Sequence, residues 1–183
     1  SHKRNPYSDQ QALAALRLIG PNIKQVYHNG QDEQARATMM LGASLAGIAF
    51  CNSSVALVHG MSRPIGAFFH VPHGLSNAML LPAVTEFSIP AATERYADCA
   101  RALGIATEVN SDLEANQLLV QFLKDLNTEL KVPSLAEFGA TKEDFDRLVD
   151  IMCEQAFASG SPNNNPRVPS KEEMLAIYNA LWA

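Results

Sequence analysis

Between residues 37 and 85 the chain carries a single Asp, Glu, Lys or Arg, and it is Arg63. A stretch of that length with one charge must be covered by other protein or by lipid, because apolar surface is driven out of water. Its longest mostly apolar run, residues 39–51, is broken by Ser44 and falls short of the roughly 18 residues a membrane-spanning helix needs. The stretch therefore reads as the interior of a globular domain. The 183 residues suffice for one well-buried core, and 47% hydrophobic against 18% charged residues argues against disorder. Three of the five histidines, His59, His70 and His73, fall inside this segment.

Apolar spacing along the whole chain is helical. Ser8 with Gln11 forms a capping-box pattern ahead of Ala12, Leu16, Ile19, Ile23 and Val26. Pro21 is expected to kink or break this helix near Gly20, and Gly30 to end it. Asp32 caps a second helix. Its small residues Gly42, Ala43, Ala46 and Gly47 predict a buried, central position. Ser53-Ser54 is expected to open the helix bearing His59, which ends near residues 66–69. After Val71-Pro72 a further helix runs from His73 to about Phe87, with a kink expected at Pro82. An element starting at residues 88–90 carries Tyr96, Cys99 and Leu103 inward to Gly104. Ser111 with Glu114, Thr141, and Ser170 with Glu173 introduce three more helices. Their apolar faces include Leu119 and Phe122, then Phe145 and Met152, then Met174 and Tyr178. Residues 159–169 read as a polar, proline-rich loop. No period-two alternation is sustained anywhere. The expectation is an all-α fold of seven to nine helices, one domain over residues 1–183.

Composition excludes several functions. Net charge is −5 and no basic block is interleaved with aromatics, so nucleic acid is not an expected partner. Cys51, Cys99 and Cys153 are odd in number and far apart, which fits a reducing, cytoplasmic setting rather than a disulfide scaffold. No membrane span or signal peptide is read. No dinucleotide glycine loop, P-loop, HExxH or EF-hand pattern occurs. Neither GASLAG nor the segment around Ser76 fits a nucleophile elbow. The chain opens on Ser1 and its first methionine is Met39, so further chain upstream is expected.

The histidines carry the chemistry. His59 and His73 are fourteen residues apart, about 21 Å along one straight helix, too far to share an ion. A turn between them, permitted by Gly66 and enforced at Pro72, would bring them together. They are then either half of a metal site or interhelical histidines satisfied by carbonyls. Two ligands do not close a zinc or iron site. Arg63 lies four residues after His59 and shares its helix face. His28 reads as a surface residue at a helix end, and His70 as exposed in a loop.

The segment VHGMSRPIGAFFHVPHGLSNAMLLP resembles the histidine signature of the iron-containing (group III) alcohol dehydrogenases. The segments NPYSD at residues 5–9 and NPR at 165–167, the latter followed by a Glu-Glu helix with Tyr178, resemble the ends of that family's helical domain. The resemblance implies two domains, an N-terminal one that binds NAD or NADP and a C-terminal helical one that holds a divalent metal. Fe2+ is the first expectation for the metal and Zn2+ the second. One Asp and three His hold it, and His59 and His73 match the last two. The other two ligands lie upstream of residues 5–9 in an Asp-x-x-x-His frame, and His2 does not sit in that frame. The implied reaction interconverts an alcohol and an aldehyde or ketone, with hydride passing to or from the nicotinamide at a metal-bound oxygen. Phe50 matches an aromatic position near the substrate pocket, and Phe69 is a second candidate.

The sequence departs from the family at Arg63, where many members carry a histidine. A guanidinium stays protonated and cannot shuttle protons. It either contacts substrate or cofactor, as a catalytic-site residue, or forms a buried structural ion pair. The other readings are a polyol dehydrogenase or dehydroquinate synthase-like member of the superfamily, and a helical interaction or scaffold domain without chemistry. This stretch of chain alone is expected to fold but not to turn over substrate. An exposed apolar face is expected near residues 50–75, where the N-terminal domain would close the cleft, so self-association into a homo-oligomer is an expected property.

Overall fold

The computed structural model describes residues 1–182; residue 183, which the expected domain boundary includes, lies outside the described residues. Among the described residues there are nine α-helices and no strand. They are α1 (Pro6–His28), α2 (Glu33–Ser53), α3 (Leu57–Phe69), α4 (His73–Ser88), α5 (Thr93–Ala102), α6 (Asp112–Glu129), α7 (Leu135–Phe138), α8 (Lys142–Ala158) and α9 (Lys171–Ala180). Short 3-10 turns occupy Ile89–Ala91 and Pro162–Asn164. The all-α expectation holds. The described residues group into two compact units: one comprises residues 3–54 and 89–126, the other residues 1–2, 55–88 and 127–182.

The first unit is built on α1 and α2. Asn5, not Ser8, is the N-cap of α1: its side chain takes the Ser8 N–H, and the Ser8 hydroxyl takes the Asn5 N–H. The predicted box is therefore three residues late, because Asn caps as well as Ser does and Pro6 suits the first helical position. Pro21 does not break the helix, which runs unbroken to His28 and is capped by Asn29 rather than Gly30. Gly42 is buried against α1, where an added Cβ would lie 2.8 Å from Ile19 Cγ1. Gly20 packs as tightly on the Leu103 carbonyl. Yet α2 is not a central helix within its unit. Only Ala35, Gly42 and Ala49 are buried, while Met40 is 70% exposed and Leu41 54%. Small residues on one side permit a single close helix contact; they do not require burial all round. A smaller cluster of Ala97, Ala100, Leu119 and Leu123 joins α5 to α6, whose Ser111–Glu114 box forms as expected.

The second unit buries α3. Leu57, Met61 and Ile65 share a core with Phe145, Met152, Met174 and Tyr178 from α8 and α9. Ser53-Ser54 does not open α3. Ser53 ends α2, Ser54 adopts a positive φ of 60° that favours glycine, and Ala56 is an N-cap without a side-chain bond. Pro82 does not break α4. It removes the N–H that would serve the Ala78 carbonyl, and Asn127 Nδ2 donates to that carbonyl at 2.8 Å instead. Near Pro64, inside α3, the buried Tyr178 hydroxyl donates to the Met61 carbonyl at 2.8 Å. Residues 159–169 are not a solvated loop. Asn164 Nδ2 donates to the Val55 carbonyl, and Asn165 Nδ2 to Ser88 Oγ and the Arg167 carbonyl, with both asparagines buried. Thr141, and Ser170 with Glu173, cap α8 and α9 as predicted.

All three cysteines are free. Burial pushes the Cys99 and Cys153 thiols up to about 11, against the smaller opposing pull of Arg95 and Lys171 respectively. Cys51 is exposed. At pH 8 only about one in a thousand of either raised thiol is thiolate, the nucleophilic form. Ellman's reagent is therefore expected to modify one thiol per chain within minutes, with the other two reacting only in denaturant. Three fast thiols would contradict the burial.

No single helix among the described residues is long and apolar enough to cross a membrane.

Candidate metal centre

The site is made by a turn. His70 takes the left-handed conformation (φ 57°, ψ 24°) and its N–H closes on the Gly66 carbonyl at 3.1 Å, ending α3 at Phe69. Val71 is buried and Pro72 precedes the first residue of α4, which is His73. The expected helix–loop–helix is thus present with the expected limits. Packing of α4 on α3 brings the His59 and His73 rings to 5.1 Å between centroids, inclined at 61°. Ser62 and Ser76, each three residues after a histidine, donate to the carbonyls of His59 and His73 at 3.2 and 3.0 Å.

Electrostatics favour neutral imidazole at His59. Partial burial holds its pKa below the usual 6.5, and the neighbouring His73 and Arg63 lower it further. A metal ligand must be unprotonated, so His59 is prepared at neutral pH. His73 Nε2 lies 3.1 Å from Asn77 Nδ2, while the buried Asn77 Oδ1 has no hydrogen-bond partner among the described residues. Asn77 was not singled out from sequence. Its position four residues after His73 on one helix was the available signal.

The remaining candidates separate. Arg63 is exposed one turn beyond His59 and makes no hydrogen bond or ion pair among the described residues. Phe69 is half-buried against the core of its own unit. Phe50 belongs to the other unit, on α2, and is 50% exposed. The exposed apolar side chains of this region concentrate on α2, at Met40, Leu41, Ile48 and Phe50, rather than across residues 50–75. Residues 57–65 instead turn their large apolar groups into the core. His70 and His28 are exposed, with the His28 ring edge-on to Tyr27.

Two imidazoles about 105° apart on one ion, with bonds of about 2.1 Å and a ring radius of about 1.2 Å, have centroids about 5.2 Å apart. The observed 5.1 Å fits that spacing. The donor set is incomplete, since no group of three His, Cys, Asp or Glu able to hold a metal occurs among the described residues. The pair therefore fits a divalent ion as part of a ligand set and not as the whole of it.

Residues 1–182 match the model of the Fe-containing alcohol dehydrogenase family, C-terminal. The chain belongs to this family. It is 33% identical over 179 residues to the NADPH-dependent butanol dehydrogenase of Clostridium saccharobutylicum, covering 97% of this chain and 45% of that protein. It is 37% identical over 182 residues to long-chain-alcohol dehydrogenase 1 of Geobacillus thermodenitrificans, covering 98% and 45%. Among solved structures, a 1,3-propanediol oxidoreductase superposes with a TM-score of 0.90 at 32% identity, covering 98% of this chain and 46% of that one. The chain thus spans less than half the length of these relatives. It has the all-helical architecture of the family's C-terminal part.

Proposed function

We propose that this chain is the metal-holding helical domain of an NAD(P)-dependent alcohol dehydrogenase, with His59 and His73 as two of the metal's ligands. The observation that carries the proposal is the 5.1 Å approach of these two rings across the α3–α4 turn. Iron(II) is the metal in view, with zinc the alternative, because imidazole suits both. The remaining ligands would come from chain just upstream of residues 5–9, and the dinucleotide site from an N-terminal domain that this chain does not include. When bound, such an ion would polarise a carbonyl oxygen toward reduction.

The chain's own residues do the rest by placement. His59, held neutral by burial and by the adjacent cationic groups, offers a lone pair without first losing a proton. The Ser62 and Ser76 hydroxyls tie the first turns after each histidine, so both imidazoles stand on fixed backbone. Phe69, in the same unit as the two histidines, is proposed as an apolar wall that limits water at the substrate. Arg63 stays charged and moves no proton. The names of the relatives, a butanol dehydrogenase and a 1,3-propanediol oxidoreductase, support small primary alcohols and their aldehydes as the substrate class.

The test uses the full natural protein that carries this chain, loaded anaerobically with iron(II). Oxidation of NADPH and NADH is followed with butanal and with 3-hydroxypropanal. Turnover that chelation abolishes is expected, and none from residues 1–183 alone. Absence of turnover with any small aldehyde, polyol or oxo acid would leave a helical scaffold domain as the better account.

A further inference from the structure

Resting on the dehydrogenase reading, we propose that Arg63 is a specificity-determining residue that binds a carboxylate at the far end of the substrate. The preferred substrates are then short ω-oxo or ω-hydroxy acids rather than neutral alcohols.

The argument begins with what surrounds the guanidinium. Arg63 is the only charged residue between positions 37 and 85, and no carboxylate lies in that stretch to neutralise it. Other basic side chains of its unit are paired with acids: Arg167 with Glu173, Arg147 with Asp144, Lys171 with Asp150. Arg63 has neither an ion pair nor a hydrogen bond among the described residues. Its neighbour on the same helix face, four residues back, is His59, and beyond that ring lies His73. Arg63 thus stands one helical turn from the histidine pair, with no acid of the described residues paired to it. That placement suits an incoming anion, which a guanidinium recognises through paired N–H donors.

Geometry sets the length of the substrate. Four residues of α-helix rise about 6 Å, so a molecule whose reacting carbon stands at the histidine pair meets Arg63 with a group about four or five carbons away. 4-Oxobutanoate and 5-oxopentanoate have that span; butanal has the length without the charge. A phosphate of the nicotinamide cofactor carries the same chemistry and is the other source of an anion here.

Arg63→Met keeps the stem and removes the five donors. In the iron-loaded full protein, kcat/KM for 4-oxobutanoate is expected to fall about 100-fold. For butanal it should stay within about threefold, with the KM for NADPH unchanged. A rise in cofactor KM with no selective loss of the oxo acid would assign Arg63 to the cofactor phosphate and overturn the proposal. Equal losses on both aldehydes would also overturn it. Should the native protein reduce neither aldehyde, the dehydrogenase reading fails separately. Arg63 is then judged by titrating butanoate into the metal-free protein and following the Arg63 side-chain N–H resonance. Saturable binding lost in Arg63→Met supports the anion site, and no binding ends it.

Discussion

His59→Ala and His73→Ala are each expected to weaken divalent-metal binding by the full protein by at least about 100-fold. Each substitution removes one donor from a pair whose 5.1 Å spacing matches two imidazoles on one ion. Neither ring is a main support of the core, since His59 is half-buried and His73 exposed, so both variants should fold. Cobalt(II) titration makes the loss visible as failure to develop ligand-field bands. Unchanged binding in either variant would make the pair structural. The pH dependence has a definite sign. The pKa of His59 is lower folded than unfolded, so the unfolded chain takes up the proton first as pH falls through about 6.5. The contribution of His59 to stability is therefore constant above that range and declines below it. Metal affinity declines in the same direction, because a proton competes for the same lone pair.

Phe145→Ala should cost about 3–5 kcal/mol of folding stability, the largest loss expected from a single core truncation here. Phe145 is fully buried on α8, and its ring lies 5.3 Å from that of Trp182. Its neighbours in the cluster include Met61 and Tyr178, which belong to helices already pinned by the Tyr178–Met61 hydrogen bond, so the cavity cannot readily collapse. Urea unfolding followed by circular dichroism measures the loss. Phe138→Ala, at a residue 36% exposed, serves as the comparison and should cost about 1 kcal/mol or less. A Phe145→Ala midpoint close to that of the native chain would mean that α8 is not packed as described.

Much of this architecture is legible in the residues because its signals are local. The end of α3 and the start of α4 follow from Gly66 and Pro72, and the caps at Asp32, Thr141 and Ser170 act within four residues of themselves. What could not be read depends on partners distant in sequence. Pro82 leaves the Ala78 carbonyl without its helical donor, and only the fold brings Asn127 to supply one. Asn164 and Asn165 look like a polar linker until Val55 and Ser88 appear opposite them. The small residues of α2 indicate a close contact, but not that only one side makes it. At the site, sequence spacing allowed His59 and His73 to meet without requiring it. The unpaired state of Arg63 and the orphaned Asn77 Oδ1 are tertiary facts with no local signature.

The interleaving of the two units along the chain sets an order of assembly during synthesis. The unit containing α1 and α2 has all its segments once Leu126 has left the ribosome. By then α3 and α4 have long emerged, but the faces of Leu57, Met61 and Ile65 have nothing to cover them, because α8 and α9 are not yet made. At about 10 residues per second that wait lasts on the order of 5 s. The newborn histidine segment is therefore the part of the chain most in need of protection from aggregation.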